Sequence, residues 1–143
     1  MSNGGAVSKV AVIGAGSWGT TVAALLAPVV PTVLWSRRAE VAADVAAGRG
    51  NRRYLDGYAL PSQLEATDDL GSAVRGADLL LMGVPTHGFR QVLESVADAV
   101  EPGTPVISLA KGFERSTGLR MSQVAARSEE RRVGKEGRSR WSP

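Results

Sequence analysis

The stretch VAVIGAGSWGTTVAALL (Val10–Leu26) runs from branched apolar residues straight into three glycines and then into an alanine-rich segment. Val10–Ile13 reads as a short buried strand, and Val22, Leu25 and Leu26 share one face of a helix predicted from about Ser17 to Ala27. Between them, Gly14, Gly16 and Gly19 match G-x-G-x-x-G. With 17 glycines in 143 residues, the string alone carries little weight. Its place between a strand and a helix carries more, because there each glycine has a separate task. Gly14 permits the tight turn out of the strand, Gly16 lets the backbone touch a pyrophosphate, and Gly19 lets the helix pack closely. Ser17 and Trp18 open the helix, where unpaired N–H groups and the positive end of the dipole favour an anion. Trp18 reads equally well as a cofactor contact and as a residue packed on a neighbour.

The alternation continues downstream. Thr32–Trp35 is rich in β-formers, and Glu40–Ala47 is helical, with Val41 and Val45 four apart and Gly48 as its stop. A polar loop follows through Gly50, Asn51 and Gly57 to Pro61, after which Thr67 or Asp68 caps a short helix reaching Arg75. Asp78–Val84 is continuously apolar beyond its first residue, as for a strand covered on both faces. Phe89, Val92, Leu93, Val96 and Val100 recur at helical spacing, Thr104–Leu109 is another strand, and Thr117–Ala126 is a weaker helix. Strands alternating with helices predict an α/β fold: a doubly wound, Rossmann-like, mostly parallel sheet with helices on both faces. Its ligand crevice is expected at the carboxyl ends of the strands.

Composition narrows the function classes. Hydrophobic residues make up 43% of the chain, as for a folded domain, and charged or Pro residues interrupt every apolar run well short of a membrane span. The first nine residues do not have the layout of a secretory signal. Cysteine is absent, which excludes disulfides, fits a cytoplasmic location and, with a single His, speaks against a structural zinc site. The net charge of +3 lies wholly in residues 127–143, which carry six Lys/Arg against three Asp/Glu and leave eleven of each sign in residues 1–126. The body has no net field for a polyanion, so no nucleic-acid partner is expected. We therefore expect one domain over residues 1–126, followed by a basic tail over 127–143 that is solvated or foreign to the domain.

Coenzyme choice in such folds is decided near the end of the second strand, where an acid bonds the ribose 2′-OH of NAD. Here WSRR places Ser36, Arg37 and Arg38 at 22 to 24 residues after Gly14, with Glu40 the nearest acid. Two guanidinium groups suit a 2′-phosphate, each charge-assisted bond contributing about 1.5–3 kcal/mol. The expectation is a domain that accepts both coenzymes and prefers NADP(H) to NAD(H). Arg49, Arg52 and Arg53 read as a solvated loop, and His87 as a cap or surface residue rather than a catalytic group.

KVAVIGAGSWGTTVA, VLWSRR, NRRYL, GADLLLMGVPTH and LAKGFE occur in this order over residues 9–126. In this the chain resembles the bacterial NAD(P)-dependent glycerol-3-phosphate dehydrogenases, which reduce dihydroxyacetone phosphate to sn-glycerol 3-phosphate, a phospholipid precursor. The resemblance implies that Ser17, Trp18, Arg37, Arg38 and Tyr54 contact the cofactor and that Lys111 reaches both cofactor and substrate. Lys111 follows a strand end, where its ammonium can face the crevice, and Val84-Pro85 is expected to shape the nicotinamide side. The family continues into a helical second domain carrying the general acid/base lysine and most of the phosphate-holding groups. These 143 residues are expected to lack that domain, so no catalytic residue is assigned within them, and cofactor binding without turnover is expected. The alternatives are a free-standing NAD(P)H-binding module and the cofactor domain of a 6-phosphogluconate- or ketopantoate-type reductase.

Overall fold

The computed structural model describes residues 5–109 and Gln123. Among them, β1 (Val10–Ile13), α1 (Ser17–Leu26), β2 (Thr32–Trp35), α2 (Ala39–Ala46) and β3 (Glu65–Thr67) form the first half. The second half comprises α3 (Leu70–Val74), β4 (Leu79–Met82), α4 (Thr86–Val96) and β5 (Val106–Ser108). All pairings are parallel and the strand order is β3-β2-β1-β4-β5, the Rossmann-like arrangement expected from the alternation.

The period-two geometry of β1 sorts its four buried residues onto two faces. Ala11 and Ile13 join Leu80, Met82, Trp35 and the α3/α4 residues Val74, Phe89, Leu93 and Val96 in one core. Val10 and Val12 join Leu34, Leu81, Ala23 of α1 and Val41 and Val45 of α2 in the other. Two cores on opposite faces of one sheet are what a doubly wound fold requires, and they explain why β1, β2 and β4 are apolar almost throughout.

Several boundaries differ from the sequence expectations, each for a local reason. The short strand β3 was not anticipated; its three residues are exposed or half-buried at the sheet edge and carry no apolar pattern. Because Thr67 closes that strand, and the Asp68 carbonyl accepts from Trp35 Nε1 at 3.0 Å, the cap of α3 falls to Asp69. The Asp69 carboxylate accepts from the Ser72 N–H at 3.3 Å. The strand expected over Asp78–Val84 shortens to Leu79–Met82, releasing Gly83, Val84 and Pro85 to the crevice rim. Asp78 instead accepts from the N–H groups of Ser8 and Lys9 and from the Ser8 hydroxyl, tying the N-terminal lead to the start of β4. The strand expected over Thr104–Leu109 shortens to Val106–Ser108 and is largely exposed. The helix expected over Thr117–Ala126 and the tail lie outside the described residues, Gln123 excepted.

Gly14 holds the centre. Its φ is +117°, a conformation that L side chains rarely adopt, and a Cβ there would stand 2.8–2.9 Å from the Gly83–Val84 peptide. Its N–H donates to the Trp35 carbonyl at 3.0 Å, and the Gly83 N–H donates to the Ile13 carbonyl at 2.8 Å. A Cβ on Gly19 would overlap the Gly14 carbonyl oxygen, so this third glycine serves contact with the turn itself. Gly14→Ala and Gly19→Ala are each expected to cost about 3 kcal/mol or more, because backbone strain or backbone overlap cannot be relieved by a rotamer change. Urea midpoints for both variants check this; wild-type midpoints would contradict it.

Candidate functional site

The register levels the carboxyl ends of the central strands. Ile13 lies opposite Trp35 and Met82, and Met82 opposite Ser108. The residues that follow, from Gly14, Ser36 and Gly83, therefore emerge along one edge and enclose an open cleft of about 680 Å³. Gly14, Gly16, Arg37, Arg38 and Tyr54 line it, as do Val84, Pro85 and His87. A cleft of this size at the switch point of a parallel sheet is a usual small-ligand site.

The floor is the glycine turn and the start of α1. Gly16 is the N-cap, with φ −71° and ψ −178°, no side chain caps this end, and its first turn carries no acidic residue. A Cβ on Gly16 would meet no atom within 4 Å. Here the three glycines divide: Gly14 and Gly19 are bare because the protein's own backbone fills the space, and Gly16 is bare beside open cleft. The dihedrals of Gly16 suit any residue, so neither packing nor strain calls for glycine there. An anionic group pressed against the backbone would call for it. Ser17, Trp18 and Gly19 form the same first turn but do not line the cleft: Ser17 is exposed, Gly19 is buried, and Trp18 is 61% exposed, which leaves its indole without the packing role weighed from the sequence.

The rim beyond β2 is cationic. Ser36, at the position where an acid would bond a ribose, is buried, and its hydroxyl accepts from the Arg38 N–H at 3.1 Å. That bond shapes the turn presenting Arg37 and Arg38. Arg38 lies 3.8 Å from Glu40, but both are largely exposed, and such a pair holds a guanidinium by at most about 1 kcal/mol. Beside Arg38, Tyr54 joins the lining; Arg53 Nε donates to its hydroxyl at 3.1 Å, and the Arg53 guanidinium stands 5.4 Å from the ring centroid. Arg53 first, and Arg38 second, lower the Tyr54 phenol below its ordinary value by favouring the phenolate. Arg53 thus pairs with a residue of the lining, although it does not itself line the cleft. Arg49 and Arg52 both pair with Asp44, at 2.8 and 3.5 Å, and hold the loop against α2.

Two further residues bear on the cleft, one read as a surface residue and one not singled out by the sequence. His87 lines the cleft from the first turn of α4; its place two residues after Pro85, at a strand's carboxyl end, was the available signal. Asn51 is 1% exposed, and both of its amide hydrogens are engaged within the protein. Nothing in a run of Gly and Arg marks one Asn as buried. Lys111 lies outside the described residues; Leu109, two positions earlier, donates its N–H to the Met82 carbonyl at 2.8 Å, level with the cleft edge.

Comparison with known proteins agrees with this geometry. The family model described as the N-terminus of NAD-dependent glycerol-3-phosphate dehydrogenase matches residues 9–134. The chain belongs to that family. It is 48% identical over 116 residues to a glycerol-3-phosphate dehydrogenase [NAD(P)+] of Sphingopyxis alaskensis, covering 81% of this chain and 35% of that protein. It is 50% identical over 119 residues to the enzyme of the same name from Corynebacterium urealyticum, covering 82% and 36%. Among solved structures, glycerol-3-phosphate dehydrogenase from Coxiella burnetii superposes with a TM-score of 0.79 at 29% identity, covering 85% of this chain and 38% of that one. The chain thus spans about a third of the length of the curated relatives it matches.

The chain has two tyrosines, so the rim can be read by spectrophotometric titration. A phenol ionising below the ordinary tyrosine value is expected, absent in Tyr54→Phe and moved upward in Arg53→Ala. An unchanged curve for Arg53→Ala would contradict the hydrogen-bonded arrangement.

Proposed function

We propose that this chain is the cofactor-binding portion of a cytoplasmic glycerol-3-phosphate dehydrogenase that interconverts dihydroxyacetone phosphate and sn-glycerol 3-phosphate, for phospholipid precursor synthesis. The observation that carries the reading is the open space beside Gly16, at an uncapped helix start and in a cleft whose rim is cationic. A dinucleotide meets all three features at once. Its diphosphate lies against the backbone at Gly16 and the N-terminus of α1, with Ser17 and Trp18 in the same turn. Its adenosine ribose lies between Arg37, Arg38 and Tyr54. The strip formed by Val84 and Pro85 shapes the nicotinamide side, and Lys111, which follows β5 in the chain, is assigned to cofactor and substrate on the family resemblance.

The reduced nicotinamide supplies the hydride when bound. The chain's own contribution is to orient that ring and to hold anionic groups against fixed N–H and guanidinium donors, which need no reorganisation during reaction. NADP(H) is preferred, because Ser36 replaces the ribose-binding acid and two guanidinium groups flank the position of a 2′-phosphate. NAD(H) remains a weaker ligand of the same cleft. Since the 143 residues span about a third of the relatives' length, they are expected, taken alone, to bind cofactor without turning substrate over.

Calorimetric titration with NADPH and NADH tests both levels. NADPH is expected to bind more tightly by about tenfold to a hundredfold, and Arg37→Ala/Arg38→Ala together should abolish the difference. Equal or tighter binding of NADH would overturn the preference. Binding of neither at millimolar concentration would overturn the cofactor reading itself.

A further inference from the structure

Asn51 sits 36 positions from Ala15 in sequence, yet its side chain is buried directly behind the glycine turn. Nδ2 donates to the Ala15 carbonyl at 2.9 Å and to the Thr20 hydroxyl at 2.8 Å, while Oδ1 accepts from the Tyr54 N–H at 3.2 Å. The chemistry of the partners fixes which way the amide faces. A carbonyl can only accept and a backbone N–H can only donate, so rotating the amide by half a turn would set acceptor against acceptor and donor against donor. The Tyr54 N–H therefore locks the Asn51 amide, and the locked amide holds the Ala15 carbonyl.

That carbonyl belongs to the peptide joining Ala15 to Gly16. The peptide is trans, so its C=O and N–H point in opposite directions. With the carbonyl pinned inward on Asn51, the Gly16 N–H is directed away from Asn51, on the side where Gly16 lines the cleft. We propose that Asn51 is a positioning residue: it sets the direction of the Ala15–Gly16 peptide so that an N–H, and not a carbonyl oxygen, meets an anionic ligand. The inference rests on the reading of this cleft as a dinucleotide site. Gly16 has no side chain to resist rotation of the peptide, so an external restraint is needed at this position. Asparagine alone among residues of its size provides both a donor for Ala15 and an acceptor for Tyr54. Aspartate would turn a second acceptor toward the carbonyl, and leucine would leave all three partners unpaired.

The test compares two ligands on the full chain. NADPH carries a diphosphate; adenosine 2′-monophosphate can reach only the Arg37, Arg38 and Tyr54 rim. Asn51→Ala is expected to weaken NADPH by about tenfold, and Asn51→Asp by more, while adenosine 2′-monophosphate changes by less than about threefold. Wild-type affinity for NADPH in both variants, or equal losses for both ligands, would overturn the proposal and leave Asn51 a role in stability alone. If neither variant folds, the wild-type Gly16 amide resonance decides: it must shift with NADPH and stay in place with adenosine 2′-monophosphate, and the reverse would refute the proposal. Failure of wild-type protein to bind NADPH would instead remove the cofactor reading and this inference with it.

Discussion

The backbone of Gly14 lies against the peptide joining Gly83 to Val84, closer than any side chain would permit. This approach brings the exits of β1 and β4 side by side and aims the turn between β1 and α1 along the sheet edge. Gly19 completes it from the helix, packed on the Gly14 carbonyl, so that α1 begins directly beside the cleft. Two cores, one on each face of the sheet, hold these backbones in register. The cleft is therefore a consequence of packing, with its shape set before any ligand arrives.

Charge is arranged on that frame with little compensation from the protein itself. The start of α1 has neither a capping side chain nor an acid in its first turn, and the exposed Arg38–Glu40 pair is weak. The lining draws Arg37 and Arg38 from the turn after β2 and Tyr54, which accepts from Arg53, from a second segment. Asn51 reaches back from the second of these to the glycine turn, so one buried amide connects the Ala15 carbonyl with the Tyr54 backbone.

The sequence made the central architecture legible where each residue type has one physical use. Branched apolar runs of four residues, the strand–glycine–helix junction and the Phe89–Val100 periodicity predicted β1, β2, β4, α1 and α4 because burial on a sheet or helix face leaves a periodic trace. It was illegible where geometry comes from afar. Strand β3 is an edge of three polar or small residues and owes its form to backbone pairing with β2. Among Thr67, Asp68 and Asp69, each able to cap a helix, the choice was made by Trp35 and the β3 ladder. The site divides similarly. Gly14, Gly16, Arg37, Arg38 and Tyr54 could be named from motif and resemblance, and they do line one cleft. The burial of Asn51 and the pairing of Arg53 with Tyr54 depend on a fold of the loop that no local pattern encodes.

One substitution isolates the central claim, that Gly16 is bare for the sake of a ligand and not for the fold. Gly16→Ala places a methyl in open space at dihedrals that alanine adopts freely, and the loss of an N-cap glycine roughly offsets the entropy gained, leaving stability within about 1 kcal/mol of wild type. Side-by-side urea unfolding and NADPH titration of this variant should give an unchanged midpoint with affinity lowered by about thirtyfold or more, as expected when a methyl separates a backbone donor from a diphosphate. Undiminished NADPH affinity in a folded Gly16→Ala protein would contradict the account at its foundation.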